Sequence, residues 1–132
     1  MNNQGSHEVV IGFNDLQHFL DVLKINPGVI IVRFSATWCA PCKKIKNYVY
    51  SKFARCDSNI VCCDLDVDDN TELYSFFKKS RQVNGIPVLL AFFKGNVTMR
   101  SNESITGTNT ESIDYFFDKC NQFATSVNAN TK

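Results

Sequence analysis

Apolar residues arrive in short bursts along this chain, separated by polar turns, and their spacing alternates between strand-like and helix-like periods. Val9-Val10-Ile11 predicts a short strand after a polar start. Asn14-Asp15-Leu16-Gln17 then reads as a capping box, with Asn14 as the N-cap, Gln17 reaching back and Phe13 as a hydrophobic staple. That helix continues through Phe19, Leu20 and Leu23 until Pro27-Gly28 stops it. Residues 29–35 are nearly all apolar and β-branched, the pattern of a strand covered on both faces in a parallel sheet; Arg33 is the one charge in it. A second helix follows a cysteine-bearing segment, running through Lys43, Ile45 and Val49 toward Arg55. Residues 60–66 form another buried strand, and Asn70 caps a third helix through Leu73, Phe76 and Phe77. Residues 83–87 make a turn before the strand 88–93. Lys94-Gly95-Asn96 reads as a tight hairpin into a strand at 97–100. A last helix starts near Thr110 and carries Ile113, Phe116, Phe117 and Cys120. The pattern predicts a flexible start over 1–7, one domain over 8–124 and a disordered tail over 125–132. The order of elements predicts one layered α/β domain, with a central mixed sheet of about five strands flanked by four helices.

Composition sharpens this picture in two ways. With 132 residues, 44% of them hydrophobic and 12% aromatic, the chain can bury a real core, while its net charge of +1 removes any electrostatic case for nucleic-acid or membrane-surface binding. Six cysteines invite the idea of a secreted disulfide framework. The polar first residues, however, lack the basic start and apolar stretch of a signal peptide, so a cytoplasmic protein is expected. No apolar run approaches the length of a membrane span. Cys62 and Cys63 are adjacent on a strand and point to opposite faces, where they pack as small hydrophobes. Cys56 ends the second helix and Cys120 lies on the last; both are positions where exposure and oxidation are open.

The chemistry concentrates on Trp38-Cys39-Ala40-Pro41-Cys42. Two cysteines separated by two residues, between a strand's end and a helix's start, hold their sulfurs within disulfide reach. Pro41 suits a first helical turn, where its missing amide hydrogen costs nothing. The helix N-terminus and the nearby Lys43 and Lys44 favour a thiolate on Cys39. Cys39 therefore reads as the nucleophile and Cys42, further into the turn, as the resolving thiol. The same spacing also serves metal half-sites. No second such pair exists here, and His7 and His18 lack ligand spacing, so no metal or cofactor is expected.

From Phe34 to Lys46 the sequence resembles the active-site segment of thioredoxins, especially the eukaryotic type, and the resemblance runs from Val9 to about Phe123. Asp66-Val67-Asp68-Asp69-Asn70 is similar to that family's segment after its third strand. Gly85-Ile86-Pro87 is similar to the turn carrying its cis-proline, and Thr106-Gly107 to the glycine of its substrate groove. By themselves Ile86 and Pro87 read as an ordinary strand entry with a trans bond; the resemblance implies a cis bond, with Pro87 against the disulfide and the Ile86 backbone free to pair with an extended substrate. It further implies a shallow apolar groove of Trp38, Ala40, Pro41, Ile86, Thr106 and Gly107 around the reactive sulfur. The implied activity is that of a thiol–disulfide oxidoreductase, a protein-disulfide reductase acting on disulfide-containing proteins. Its implied electron donor is an NADPH-dependent thioredoxin reductase, and the chain would work as a monomer. Two other roles stand beside it: an oxidase or isomerase, which usually carries a secretory signal, and a binding subunit, which often loses one cysteine.

Three positions depart from the family pattern. Ala40 replaces a glycine between the cysteines, which tunes the redox potential through thiolate stability. Asn47 stands in place of a helix-kinking proline, which predicts a straighter second helix. Arg33 occupies the position of a buried aspartate that helps take the resolving cysteine's proton, and an arginine cannot act as a base. Strand alternation puts Arg33 on one face with Ile31 and Ser35, and Asp64 on one face with Cys62 and Asp66. The expectation is a reversed pair, Arg33 with Asp64, near the site; the alternative is that Arg33 snorkels to the surface. Close to Cys42, the Arg33 charge would also favour that thiolate.

Overall fold

In the computed structural model, which describes residues 8–130, the nearly unbroken apolar run becomes an inner strand, β1 (Val29–Ser35). Parallel to it on one side lies β2 (Ile60–Asp66). On the other, β3 (Val88–Phe93) runs antiparallel, and β4 (Glu103–Thr106) pairs antiparallel with β3, giving the order β2-β1-β3-β4. Alternation then sorts the core into two layers. Ile30, Val32 and Phe34 face α1 (Leu16–Lys24) and α3 (Thr71–Lys79), meeting Phe19, Leu23, Leu73 and Phe77. Val29 and Ile31 face the opposite way, toward Ile45, Val49 and Phe53 of α2 (Ala40–Ala54) and Ile113, Phe116 and Phe117 of α4 (Thr110–Asn130). Aromatic geometry organises the first layer: Phe19 makes edge contacts with Phe13 at 5.1 Å, Phe92 at 5.3 Å and Phe77 at 6.1 Å between ring centroids.

The mixed α/β architecture and the four helices match the expectation; several details do not. The sheet has four strands rather than about five, because Val10 forms only a single parallel bridge to Cys63, through Val10 N–H to Cys62 O and Asp64 N–H to Val10 O. The cap of α1 is Asp15, one residue later than predicted: its Oδ1 accepts from His18 N–H at 2.8 Å, and His18 Nδ1 accepts from Asn14 N–H. Gln17 instead donates to Asp21 one turn on. Asn70 precedes α3 without a side-chain cap; its buried amide donates to the Asp66 and Ile11 carbonyls and accepts from Phe13 N–H, stapling the N-terminal segment to this loop.

The expected strand over 97–100 is a loop. Asn96 captures it, accepting from Thr98 N–H and Oγ1 and donating to Arg100 O, while Met99 takes a left-handed φ of 65°. The returning strand starts only at Glu103. The segment expected as a disordered tail is helical as far as Asn130. Its root is anchored: Phe123 stacks on Phe93 at 4.3 Å, Asn59 donates to Ala124 O, and Thr125 donates to Asp57. Residues 1–7, expected to be flexible, lie outside the described residues. Throughout its 15 residues α2 is α-helical, with Asn47 inside it.

Candidate active site

β1 ends at Ser35 and the chain turns through Cys39 N–H to Ala36 O at 3.1 Å before α2 begins. Cys39 is the N-cap of α2, and its Sγ accepts from the Cys42 N–H at 3.3 Å; Pro41 lies in the first turn. Cys39 and Cys42 are joined as a disulfide, with Cα atoms 5.3 Å apart. Cys39 retains 6% exposure and Cys42 1%, so the cysteine at the helix tip is the more open of the two to a partner. That tip aims the Cys42 N–H at the sulfur and carries the partial positive charge of the helix N-terminus, which favours sulfur as a thiolate once the bond is reduced.

The residues expected around the sulfurs come together only in part through contacts. The Ile86-Pro87 bond is cis. Ile86 packs against the apolar cluster that contains both cysteines, and Pro87 is buried at the start of β3. Gly107 N–H donates to Pro87 O at 3.0 Å, and Thr106 pairs with Val88, so the β4 end adjoins the proline turn. Gly107 has a φ of 104°, a conformation that suits glycine. Ala40, Pro41 and Thr106 are exposed. Trp38 is not core: it is 66% exposed, with its indole N–H donating to Asp68 at 2.9 Å.

Arg33 is buried to 2% exposure rather than snorkelling to the surface. The parallel register sets it beside Asp64, and its Nη1 reaches Asp64 Oδ1 at 2.9 Å. Nη1 also lies 3.3 Å from Ser35 Oγ, and Nη2 donates to the Cys42 carbonyl at 2.7 Å. A residue missed in the sequence completes the group: Tyr50 donates its hydroxyl to Asp64 Oδ2 at 2.5 Å. Burial first, and then that bond to the carboxylate, push the Tyr50 phenol above its ordinary range. The signal was present in the helical period, because Cys42, Lys46 and Tyr50 recur every four residues along one face of α2. These groups line an open cleft of about 440 Å³ that also includes Ile11, Thr37, Lys43, Asp66 and Asp69.

The other four cysteines are all buried, Cys56 and Cys120 included, contrary to the exposure left open for them. Cys56 closes the end of α2 against Lys52 O, and Cys120 sits in the layer between α4 and the sheet. Cys62 and Cys63 point to opposite layers, as alternation requires. The Cys62 thiol is pushed up by its contact with Cys56 and by burial, the Cys120 thiol chiefly by burial. Among the described residues no cluster of three or more His, Cys, Asp or Glu side chains suits a metal ion.

The thioredoxin family model matches residues 10–119. A curated thioredoxin from Equus caballus is 37% identical over 67 residues, covering 42% of this chain and 63% of that protein. A bifunctional thioredoxin reductase/thioredoxin from Mycobacterium leprae is 35% identical over 92 residues, covering 70% of this chain and 19% of that protein. The solved thioredoxin of Trichomonas vaginalis superposes with a TM-score of 0.65 at 25% identity, over 83% of this chain and 96% of that one. The chain thus spans about 63% of the length of the first curated relatives it matches.

Proposed function

The chain belongs to the thioredoxin family, and from that premise we propose that it is a protein-disulfide reductase whose working couple is Cys39 and Cys42. The observation that carries this reading is the disulfide held at the tip of α2, with the more exposed cysteine at the N-cap. In the forward direction the Cys39 thiolate attacks one sulfur of a substrate disulfide, and the other substrate sulfur leaves with the bonding electrons. Cys42 then attacks Cys39 Sγ, releasing the second substrate sulfur and leaving the protein oxidised. Two electrons pass to the substrate, and a reductant must restore the dithiol.

Trp38, Ala40, Pro41, Ile86, Pro87, Thr106 and Gly107 form the surface over which the substrate segment lies in this reading. The cis-proline turn and the exposed Trp38 support it. Arg33 and Asp64 act as the buried charged pair behind Cys42. Disulfide-containing proteins are the substrates, and an NADPH-dependent thioredoxin reductase is the electron donor; the fusion of both activities in the Mycobacterium leprae relative's name supports that pairing. The chain acts as a monomer in the cytoplasm, a location in keeping with four buried cysteines outside the redox couple. No helix among the described residues is long and apolar enough to cross a membrane.

Reduction of insulin disulfides by dithiothreitol tests the reading. The wild-type chain is expected to accelerate it and Cys39→Ser to abolish the acceleration. Equal rates with and without the wild-type chain would overturn the proposal.

A further inference from the structure

The buried group behind Cys42 is arranged around a cation. Arg33 cannot accept a proton at any working pH. Asp64 already receives Arg33 Nη1 and Ser35 Oγ on Oδ1 and the Tyr50 hydroxyl on Oδ2. The carboxylate is therefore engaged in holding the guanidinium, and that guanidinium turns its other nitrogen, Nη2, onto the Cys42 carbonyl. The Arg33 Nε is buried with no hydrogen-bond partner among the described residues. Lys43 and Lys46 of α2 and Asp66 and Asp69 line the same cleft with exposed or half-buried side chains, two of each sign, so Arg33 is the fully buried charge facing this turn.

We propose that Arg33, clamped by Asp64 and Tyr50, is a positioning cation for the resolving step: it favours Cys42 as a thiolate, so that Cys42 resolves without a buried acid taking its proton and the couple is shifted toward the dithiol. The inference rests on Cys39 and Cys42 being the working couple. The proton leaves Cys42 for solvent, which the adjoining cleft brings close to this turn. The thiolate then forms the bond to Cys39 Sγ, the bond from Cys39 to the substrate sulfur breaks, and the departing sulfur takes a proton from solvent. Tyr50 acts one step removed. By donating to Asp64 it withdraws part of the carboxylate's charge from Arg33.

The experiment is a redox titration of the full chain against glutathione, comparing wild type with Tyr50→Phe and with the double variant Arg33→Met, Asp64→Asn. Losing the cation is expected to shift the equilibrium constant toward the disulfide roughly tenfold, about 30 mV to more negative potential. Tyr50→Phe, which removes a single hydroxyl, should move it the same way by less. In a Cys39→Ser background, the pH midpoint of Cys42 alkylation should rise when Arg33 and Asp64 are replaced. Equal potentials together with an unmoved Cys42 midpoint overturn this inference alone. A wild-type chain that forms no Cys39–Cys42 couple overturns the proposed function and this inference together.

Discussion

Replacing Arg33 by methionine should be among the most destabilising single changes in the molecule, and the size of the effect follows from its surroundings. The guanidinium and the Asp64 carboxylate lie 2.9 Å apart, at 2% and 11% side-chain exposure. At an effective dielectric near 20 that separation corresponds to about 6 kcal/mol of gross attraction. Desolvation of the two ions offsets most of it, so the pair adds little net stability. Removing one partner is different, because the other charge stays buried without compensation, at a cost of about 3–5 kcal/mol. Asp64 keeps the Tyr50 and Ser35 donors and some contact with water, which places Arg33→Met near the lower end, at about 3 kcal/mol. For a chain of this size that is roughly 10 °C in melting temperature. Asp64→Asn leaves the guanidinium buried and unpaired and should itself cost about 3 kcal/mol. Arg33→Met with Asp64→Asn removes both charges and should lose no more than about 1 kcal/mol, so the double-mutant cycle should show a coupling energy of about 5 kcal/mol. Urea unfolding of the oxidised protein, followed by far-ultraviolet circular dichroism, measures it. Trp38 fluorescence is a poor probe here, because the indole is already 66% exposed in the folded chain. A single variant that loses less than about 1 kcal/mol, with no coupling to Asp64, would refute the argument and return Arg33 to the surface.

Three further outcomes follow from the same structure. Gly28→Ala should destabilise by about 1–3 kcal/mol in the same urea assay, because the added Cβ would lie 2.5 Å from Asn59 Nδ2 and 2.7 Å from Asn59 O; a neutral result would mean the Asn59 turn yields freely. Phe19→Ala, at the hub of three edge contacts in the first core layer, should cost about 3–5 kcal/mol without changing the Cys39–Cys42 potential, which thermal unfolding and glutathione titration read separately. Burial first, and then the neighbouring Asp64, push the Cys63 thiol up from 9.0 to about 12. The folded chain thus keeps a proton that the unfolded chain releases, so stability is full below about pH 9 and declines as pH rises toward 12, with Cys62 and Cys120 acting in the same direction. Urea midpoints across that range should fall, and Cys63→Ala should flatten part of the slope; an unaltered slope would contradict the assignment.

Much of this protein was legible from local pattern. The apolar runs of β1, β2 and β3, the four helices and the cysteine turn are all set by neighbours within a few residues, through period, turn chemistry and the helix N-terminus. The disulfide is local too, since its sulfurs lie three residues apart. Where local signals competed, the nearest one was not always the winner. Asn14 was the expected cap of α1, but the cap is Asp15, whose carboxylate meets His18 N–H. Asn96 kept residues 97–100 out of the sheet with side-chain bonds that a hydrophobicity pattern does not register.

What the sequence determined by itself was which residues alternate onto which face, and with that the fact that a buried strand carries an arginine. Alternation placed Arg33 and Asp64 on their respective strand faces but left open whether they would meet. That was decided by the parallel register of β1 against β2, a pairing between segments 31 residues apart in the chain. Tyr50 joined them because α2 crosses that same face of the sheet. The helix α4 continues past residue 124 from a root that Phe93, Asn59 and Asp57 hold from distant elements. Backbone period is a property of neighbours, whereas the environment of a charge depends on what the folded chain brings around it.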